Sequence, residues 1–149
     1  MTGYYILIAN DSENNQGKAI AAAEMIQLRV ANKQWEIYQR TKFKDALKKD
    51  DICLFYSAGR KVGSKNILGE GTVKTIHLKP ICNIDYVNHE EPLKYIEFSK
   101  TIIYSQPIDI KKKLDLLGFI PPNRQKWGVV FMNGCRKISK EDYITITTD

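Results

Sequence analysis

Two tryptophans and one tyrosine are the side chains of this sequence best suited to hold a planar ligand. Trp35 and Trp127 are the only tryptophans, and each lies in a short strand-like segment beside basic residues. Tyr56 ends an apolar segment at the point where a polar loop begins. Aromatic rings in such positions either pack in the core or stack on a nucleic-acid base that has left its helix. The sequence leaves both interpretations open.

Basic residues supply the second part of a nucleic-acid interface. The chain has 23 Lys and Arg against 17 Asp and Glu, which gives a formal net charge of +6. Three groups have few acidic neighbours: Lys42, Lys44, Lys48 and Lys49; Arg60, Lys61 and Lys65; and Lys111, Lys112 and Lys113 with Arg124 and Lys126. One such group is usually a solvated surface, whereas three in a cationic chain favour contact with the phosphates of DNA or RNA. The predicted phosphate-binding residues are Arg60, Lys61, Lys65, Arg124 and Lys126.

The sequence lacks the common motifs of catalysis. His77 and His89 are not part of an HExxH motif, and neither a GxSxG motif nor a Walker loop is present. The 3 cysteines form no CxxC pair, so we expect neither a structural zinc site nor a disulfide framework. Cys53 lies in an apolar segment, where a buried thiol is more common than a nucleophile. The sequence thus predicts a protein that is not an enzyme and has no cofactor.

Length and composition predict one globular domain over residues 1–149. The chain is 43% hydrophobic and 27% charged, an ordinary globular mixture, and is long enough to bury a core without disulfides. No positively charged leader precedes the first apolar segment, and no apolar run approaches the roughly 20 residues that cross a bilayer. We expect a monomeric cytoplasmic protein without membrane contact.

The apolar pattern predicts the elements that must position the candidate side chains. Residues 4–9 and 52–56 are short continuous apolar runs, which are typical of buried strands. Apolar residues recur with helical spacing over residues 17–31, and a second helix is predicted over residues 42–48. Further strands are predicted at residues 34–38, 67–78 and 95–104, and a helical turn at residues 111–117.

Glycines and turn residues predict a strongly bent sheet. Gly69 and Gly71 lie inside a predicted strand, where glycine marks a bulge or a bend. Asn133 and Gly134 predict the turn of a hairpin that pairs residues 129–132 with residues 135–138, and Ser139 is predicted to cap a final helix. Strands and helices do not alternate regularly. We therefore predict an α+β fold, with five or six mostly antiparallel strands in a small bent barrel and helices at its periphery.

Six ordered segments of the sequence resemble the EVE domain family. They are YILIAN at residues 5–10, LKKDDICLFY at 47–56, ILGEGTV at 67–73, LGFI and KWGV at 117–120 and 126–129, and ISKEDY at 138–143. Together they cover nearly the whole chain. The resemblance implies a PUA-like fold, which is a small bent β-barrel with peripheral helices. It also implies a non-catalytic module that, like the similar YTH domains, reads a modified base in an aromatic pocket.

The resemblance, carried over position by position, also implies the residues of that pocket. Asn10 would hydrogen-bond the edge of the base, and Trp35 would stack on its face. Tyr56 and Ser57 would form the wall, with Trp127 as a further contributor. We therefore expect Asn10, Trp35 and Tyr56 to line one concavity, in which at least one tryptophan face is partly exposed.

Two other functions are compatible with the sequence. A pocket of this kind also suits a free nucleoside or another small planar molecule. Some PUA-like relatives of the ASCH group hydrolyse modified nucleosides. Their GxKxxExR signature is missing here, because the segment that starts at Gly63 has no glutamate at the required position.

Overall fold

A computed structural model describes residues 1–59, 64–84, 91–120, 128, 131 and 134–148 of the chain. The strands are β1 (Tyr4–Ala9), β2 (Ser12–Glu13), β3 (Ala19–Ile20), β4 (Gln34–Ile37), β5 (Ile52–Ser57), β6 (Asn66–His77), β7 (Lys94–Asp109) and β8 (Cys135–Ile138). The helices are α1 (Ala22–Asn32), a 3-10 helix (Ile110–Leu116) and α2 (Lys140–Thr147). The strands predicted from the apolar pattern are thus present, with shifted ends.

Six of these strands form one curled sheet in the order β4-β7-β6-β5-β1-β8. The adjacent strands β1 and β5 are parallel and pair residue for residue, from Tyr4 opposite Ile52 to Ala9 opposite Ser57. The other neighbouring pairs of this sheet are antiparallel, and β2 and β3 form a separate short hairpin. The fold is therefore α+β with a mostly antiparallel, bent sheet, as the sequence predicted.

Gly69 and Gly71 allow β6 to lie unusually close to its surroundings. A Cβ atom on Gly69 would collide with the carbonyl oxygen of Ile102 on β7, and the register of β6 with β7 shifts beside it. A Cβ atom on Gly71 would lie 2.8 Å from the rings of Phe55 and Phe98. Such approaches require glycine, so both glycines serve the bent part of the sheet, as predicted.

Alternate residues of β1 and β5 face two separate hydrophobic cores. The α1-side core contains Phe55 of β5 together with Ile26 of α1. The α2-side core contains Tyr56 of β5 together with Ile146 of α2. Successive side chains of a strand point to opposite faces of its sheet, so the sheet separates the two cores.

The first helix is shorter at its start than the predicted one. Ala19–Ile20 pair with Ser12–Glu13 as strands, so α1 begins at Ala22. It ends at Asn32, and the C-cap residue Lys33 has a left-handed φ of 51° and a backbone N–H that donates to the carbonyls of Arg29 and Val30.

The predicted helix at residues 42–48 is wrong, because this segment is a series of turns. Phe43 has a φ of 60°, and a left-handed residue cannot continue a right-handed helix. The backbone N–H of Lys48 donates to the carboxylate of Asp51 at 3.0 Å. A side chain therefore takes the place of a helical carbonyl at the end of the segment.

The strand β8 pairs antiparallel with β1, with Tyr4 opposite Ile138 and Leu7 opposite Cys135. The predicted hairpin instead required pairing with residues 129–132. Phe131 is the described residue of that segment, and it has 3-10 backbone and lies in the α2-side core. Residues 129, 130, 132 and 133 lie outside the described part. Gly134 has the positive φ of 76° expected at the turn, and its carbonyl accepts a hydrogen bond from Ile8.

The last helix is fixed at both ends by side chains. Ser139 caps α2 as predicted, since its hydroxyl accepts from the backbone N–H of Asp142. At the other end, the ammonium group of Lys113 donates to the carbonyls of Thr145, Ile146 and Thr148. Among the described residues, no helix is both long and apolar enough to cross a bilayer.

Glu70 joins α2 to the sheet. Its carboxylate on β6 accepts hydrogen bonds from the hydroxyl of Tyr104 on β7, at 2.6 Å, and from that of Tyr143 on α2, at 2.8 Å. Burial and the bond to Glu70 raise the pKa of both phenols. The ring of Tyr143 also packs on Tyr4 of β1, with 4.9 Å between centroids.

Candidate functional site

The carboxyl ends of β1 and β5 bring Asn10 and Ser57 to one edge of the sheet. Ala9 lies opposite Ser57 in the parallel pair, and the backbone N–H of Ala58 donates to the carbonyl of Ala9 at 2.8 Å. Asn10, the next residue after β1, is exposed. We define the strand-end site as Asn10, Asp11, Ser57, Ala58 and Gly59.

Ser57 provides a buried polar group at this site. It is 1% exposed, and its hydroxyl has no hydrogen-bond partner among the described residues. The alternation along β5 places it on the same face as Phe55, towards α1. A buried hydroxyl without a partner typically costs about 1–3 kcal/mol. Hydrogen bonding to a ligand would explain why such a costly hydroxyl is present at Ser57.

Asp11 holds the strand-end site against α1. Its Oδ1 accepts a hydrogen bond from the backbone N–H of Ala22, the first residue of α1, at 2.9 Å. Gly59 lies against the same carboxylate: a Cβ atom there would be 2.6 Å from Oδ1 and 2.7 Å from Oδ2. The carboxylate of Asp11 thus occupies the first N–H group of α1, and its negative charge disfavours a phosphate beside it.

Trp35 is a core residue, which corrects the prediction that it stacks on the base. It is 2% exposed and lies in the α1-side core. Its ring stacks on Phe55 with 5.1 Å between centroids and 16° between planes, and the guanidinium of Arg29 lies 4.5 Å from the ring centroid. The ring of Phe55 and the guanidinium of Arg29 therefore occupy the positions that a base would need.

Tyr56 is buried on the other side of the sheet. It is 3% exposed and stacks on Phe131 with 4.1 Å between centroids. Burial raises the pKa of its hydroxyl well above the usual value for a phenol. Because Trp35 and Tyr56 belong to different cores, they do not line one concavity with Asn10. The predicted trio is therefore wrong, although Asn10 and Ser57 do lie together.

One predicted phosphate-binding residue lies beside the site. Lys65 is exposed and has a φ of 65°, and its backbone N–H donates to the carbonyl of Ser57 at 2.5 Å. Arg60, Lys61, Arg124, Lys126 and Trp127 lie outside the described residues.

Two lysines of the other basic groups have structural partners. Lys48 donates to the carboxylate of Asp51 at 2.6 Å and to the carbonyl of Met1 at 2.7 Å. Lys113 binds the carbonyls at the end of α2. Lys111 and Lys112 are exposed. The basic groups of the sequence thus divide into lysines that stabilise the fold and lysines that face solvent.

Sequence reasoning missed Asp11 and Gly59. Local sequence gives no signal for their contact, since Asp11 caps a helix that starts 11 residues later. Gly59 has a φ of 103°, which requires glycine, but one glycine in a polar segment does not indicate a contact with Asp11.

Burial raises the pKa of all three cysteine thiols among the described residues. Burial raises the pKa of Cys53 well above its usual value and that of Cys135 to about 12, so both remain protonated at neutral pH. Within the described ranges, no group of three or more His, Cys, Asp or Glu side chains is arranged to hold a metal ion.

Comparisons with known proteins give a fold but no family. No family model matches the sequence. No curated protein matches it either. Among solved structures, protein Atu2648 from Agrobacterium tumefaciens matches with a TM-score of 0.56 and 14% identity, over 97% of this chain and 90% of the other. Human THYN1, in complex with DNA that contains 5-methylcytosine, matches with a TM-score of 0.54 and 12% identity, over 95% of this chain and 94% of the other.

These likenesses, together with the curled sheet and its peripheral helices, define a PUA-like fold. They extend over nearly the full length of both chains in each comparison.

Proposed function

We propose that the protein is a non-catalytic, EVE-type module that binds nucleic acid and reads a modified base at the strand-end site. The observation that carries the proposal is the buried hydroxyl of Ser57, without a partner among the described residues, beside the exposed Asn10. The likeness to a protein solved with 5-methylcytosine DNA supports the same kind of ligand.

The chemistry of Asn10 and Ser57 suits the edge of a base. An asparagine amide donates and accepts, and a serine hydroxyl does the same. A base edge presents donors and acceptors side by side, so two such groups can satisfy it and distinguish it from others. An added methyl group on the base would contribute roughly 0.8 kcal/mol if an apolar surface covered it.

The stacking ring of the proposed site is Trp127, since Trp35 is held in the core. Base stacking on an aromatic ring contributes about 1–3 kcal/mol per base. Lys65 beside the site, with Arg60, Lys61, Arg124 and Lys126, would bind the flanking phosphates. Phosphate contacts add affinity without reading sequence, so the proposal assigns selectivity to Asn10 and Ser57.

A binding panel tests the proposal. DNA and RNA oligonucleotides of one sequence would each carry a single 5-methylcytosine, 5-hydroxymethylcytosine or N6-methyladenine, with unmodified versions as controls. We expect one modified base to bind at least about tenfold more tightly than its unmodified version, which corresponds to about 1.4 kcal/mol. Equal affinity for all members would refute base reading. Binding of the free nucleoside with the full affinity of the oligonucleotide would favour a small-ligand function, and nucleoside turnover would favour hydrolysis.

The variant Ser57→Ala separates a ligand-binding hydroxyl from a structural one. Removing a buried hydroxyl without a partner should leave the free energy of unfolding unchanged or increase it. The same change should weaken binding of the preferred oligonucleotide about tenfold, since the base edge then loses a hydrogen bond. Ser105→Ala is the matched control, because Ser105 is exposed on β7 and should change neither quantity. A stable Ser57→Ala protein with wild-type affinity would contradict the proposed role.

A further inference from the structure

We infer that Asp11 is a positioning residue that sets the geometry of the strand-end site without touching the ligand. Its carboxylate joins the two segments that carry the candidate recognition groups and fixes both of them on α1. The inference rests on the proposed function and adds to it a residue that the sequence did not indicate.

The first observation is the capping of α1. The residue at the N-cap position is Ala21, which makes no side-chain hydrogen bond to the helix. Asp11 supplies the missing acceptor from a distant part of the chain, at 2.9 Å from the backbone nitrogen of Ala22. A carboxylate at this end of a helix is stabilised both by the hydrogen bond and by the helix dipole. This contact fixes the residue that follows Asn10 in the chain.

The second observation is the contact of the same carboxylate with Gly59. The missing Cβ of Gly59 leaves room for both carboxylate oxygens, and the φ of 103° turns the backbone at this point. Ala58, between Ser57 and Gly59, is bound to the carbonyl of Ala9. The segment after β5 is therefore held between the end of β1 and the side chain of Asp11. A displacement of that side chain would move Asn10 and Ser57 relative to each other.

The third observation is that the helix bearing this anchor is itself fixed. Arg29, in the last turn of α1, lies over the ring of Trp35 and forms an ion pair with Glu36 at 3.3 Å. Met25 and Ile26 are buried in the α1-side core. Asp11 thus ties the site to an element with little freedom to move, which is the condition for a preorganised binding site.

Two variants of Asp11 test the inference. The quantity to measure is the ratio of the affinities for the best-bound modified oligonucleotide of the panel and for its unmodified version. Asp11→Ala should lower this ratio about tenfold. Asp11→Asn keeps an acceptor for Ala22 and should retain most of that preference. Glu24→Ala is the matched control, since Glu24 is exposed in the first turn of α1 and its removal changes the net charge equally. The control should keep the wild-type preference, although it also removes a favourable charge from the helix N-terminus.

A double-mutant cycle of Asp11→Ala with Gly59→Ala tests whether Asp11 also acts through its contact with Gly59. Helix capping alone would give no coupling between the two variants. In the wild-type background the new methyl group would collide with the carboxylate, so the affinity for the modified oligonucleotide should fall. In the Asp11→Ala background the backbone strain of alanine at a φ of 103° remains, but the collision is absent, so the further loss should be smaller. Additive losses, or a folded Asp11→Ala protein with the wild-type preference, would overturn the inference while the proposed function stands. A wild-type protein that prefers no modified oligonucleotide would overturn both.

Discussion

Trp35 and Tyr56 lie on opposite faces of the same sheet, each stacked on a phenylalanine of its own core. Trp35 packs on Phe55 in the α1-side core, and Tyr56 packs on Phe131 in the α2-side core. The sequence analysis predicted that these two aromatic residues line one pocket, but the backbone of the sheet separates them. The candidate site lies instead where the parallel strands β1 and β5 end.

Replacing Trp35 should damage the fold, whereas replacing Trp127 should damage binding. Trp35→Ala should lower the free energy of unfolding by about 3–5 kcal/mol, as expected for a large buried aromatic residue. Trp127→Ala should change stability little and cost about 1–3 kcal/mol of oligonucleotide binding. Denaturant unfolding and titration with a labelled oligonucleotide measure the two effects. A Trp35→Ala protein of wild-type stability would contradict the core position of Trp35. Unchanged binding by Trp127→Ala would contradict the proposed stacking role of Trp127.

Binding should weaken with salt, and Lys65 should contribute to that dependence. The logarithm of the binding constant should fall linearly with the logarithm of salt concentration, with a slope of about −0.7 to −0.9 per neutralised phosphate. Lys65→Glu should lower the affinity for modified and unmodified oligonucleotides alike. Lys100→Glu is the control, because Lys100 is distant from the strand-end site. It pairs with Thr72 of β6, and Thr72 pairs with Ile52, at the end of β5 away from Ser57. Equal effects of the two variants would indicate a diffuse electrostatic field instead of a phosphate contact at the site.

Glu70→Gln should loosen the attachment of α2. Both phenol hydroxyls donate to Oε1 of the carboxylate, and the oxygen of an uncharged amide is a weaker acceptor than that of a carboxylate. We expect a loss of about 1–3 kcal/mol of stability, since hydrogen bonds to charged groups are among the stronger ones. Hydrogen exchange of the α2 amides should increase at the same time. Tyr143→Phe should reproduce part of the loss, and an unchanged exchange pattern in both variants would exclude this attachment.

Lys113→Met should fray the end of α2, whereas Lys112→Met should not. Lys113 donates to three carbonyls there, while its neighbour Lys112 is exposed. We expect Lys113→Met to lower stability by about 1–3 kcal/mol and Lys112→Met to change it by less than about 0.5 kcal/mol. Thermal unfolding followed by circular dichroism distinguishes them, and equal melting temperatures would refute the assignment.

Stability should decline at alkaline pH. Burial and the charge of Asp51 raise the pKa of Tyr5 to about 12, and burial raises that of Cys135 from 9.0 to about 12. The unfolded chain loses these protons near pH 9–10 and the folded chain does so only near pH 12. Stability is thus fully present below about pH 9 and is lost as the pH rises towards 12. Urea unfolding between pH 8 and pH 11 measures the slope, and Tyr5→Phe should reduce it; a flat profile would contradict the raised pKa values.

The elements of this fold were largely predictable from sequence, because strands buried on both faces leave continuous apolar runs. The apolar runs at residues 4–9 and 52–56 predicted two buried strands, which the structure shows as a parallel pair, and Ser139 marked the start of α2. The segment at residues 42–48 was mispredicted because its helical spacing was outweighed by local backbone and side-chain contacts. One of these is the carboxylate of Asp51, which binds the backbone of Lys48.

The candidate site was only partly predictable, because its contacts join residues distant in sequence. Asn10 and Ser57 were predicted from the family resemblance, and the parallel pairing of β1 with β5 brings them together. The role of Asp11 depends on contacts with Ala22 and Gly59 that leave no trace in the local pattern. Trp35 was mispredicted because a tryptophan among polar residues resembles a surface ring, whereas Arg29 and Glu36 are its buried neighbours.

The position of β1 between β5 and β8 has a consequence for synthesis of the chain. β1 is synthesised before the other strands of the sheet, but its partner on one side, Ile138 opposite Tyr4, belongs to the strand of that sheet that is synthesised last. Until then one edge of an apolar strand is unpaired, and such edges invite pairing with other chains. Assembly that waits for a distant partner is also intrinsically slow. We therefore expect nascent chains stalled before β8 to bind chaperones and to aggregate more readily than chains released after it.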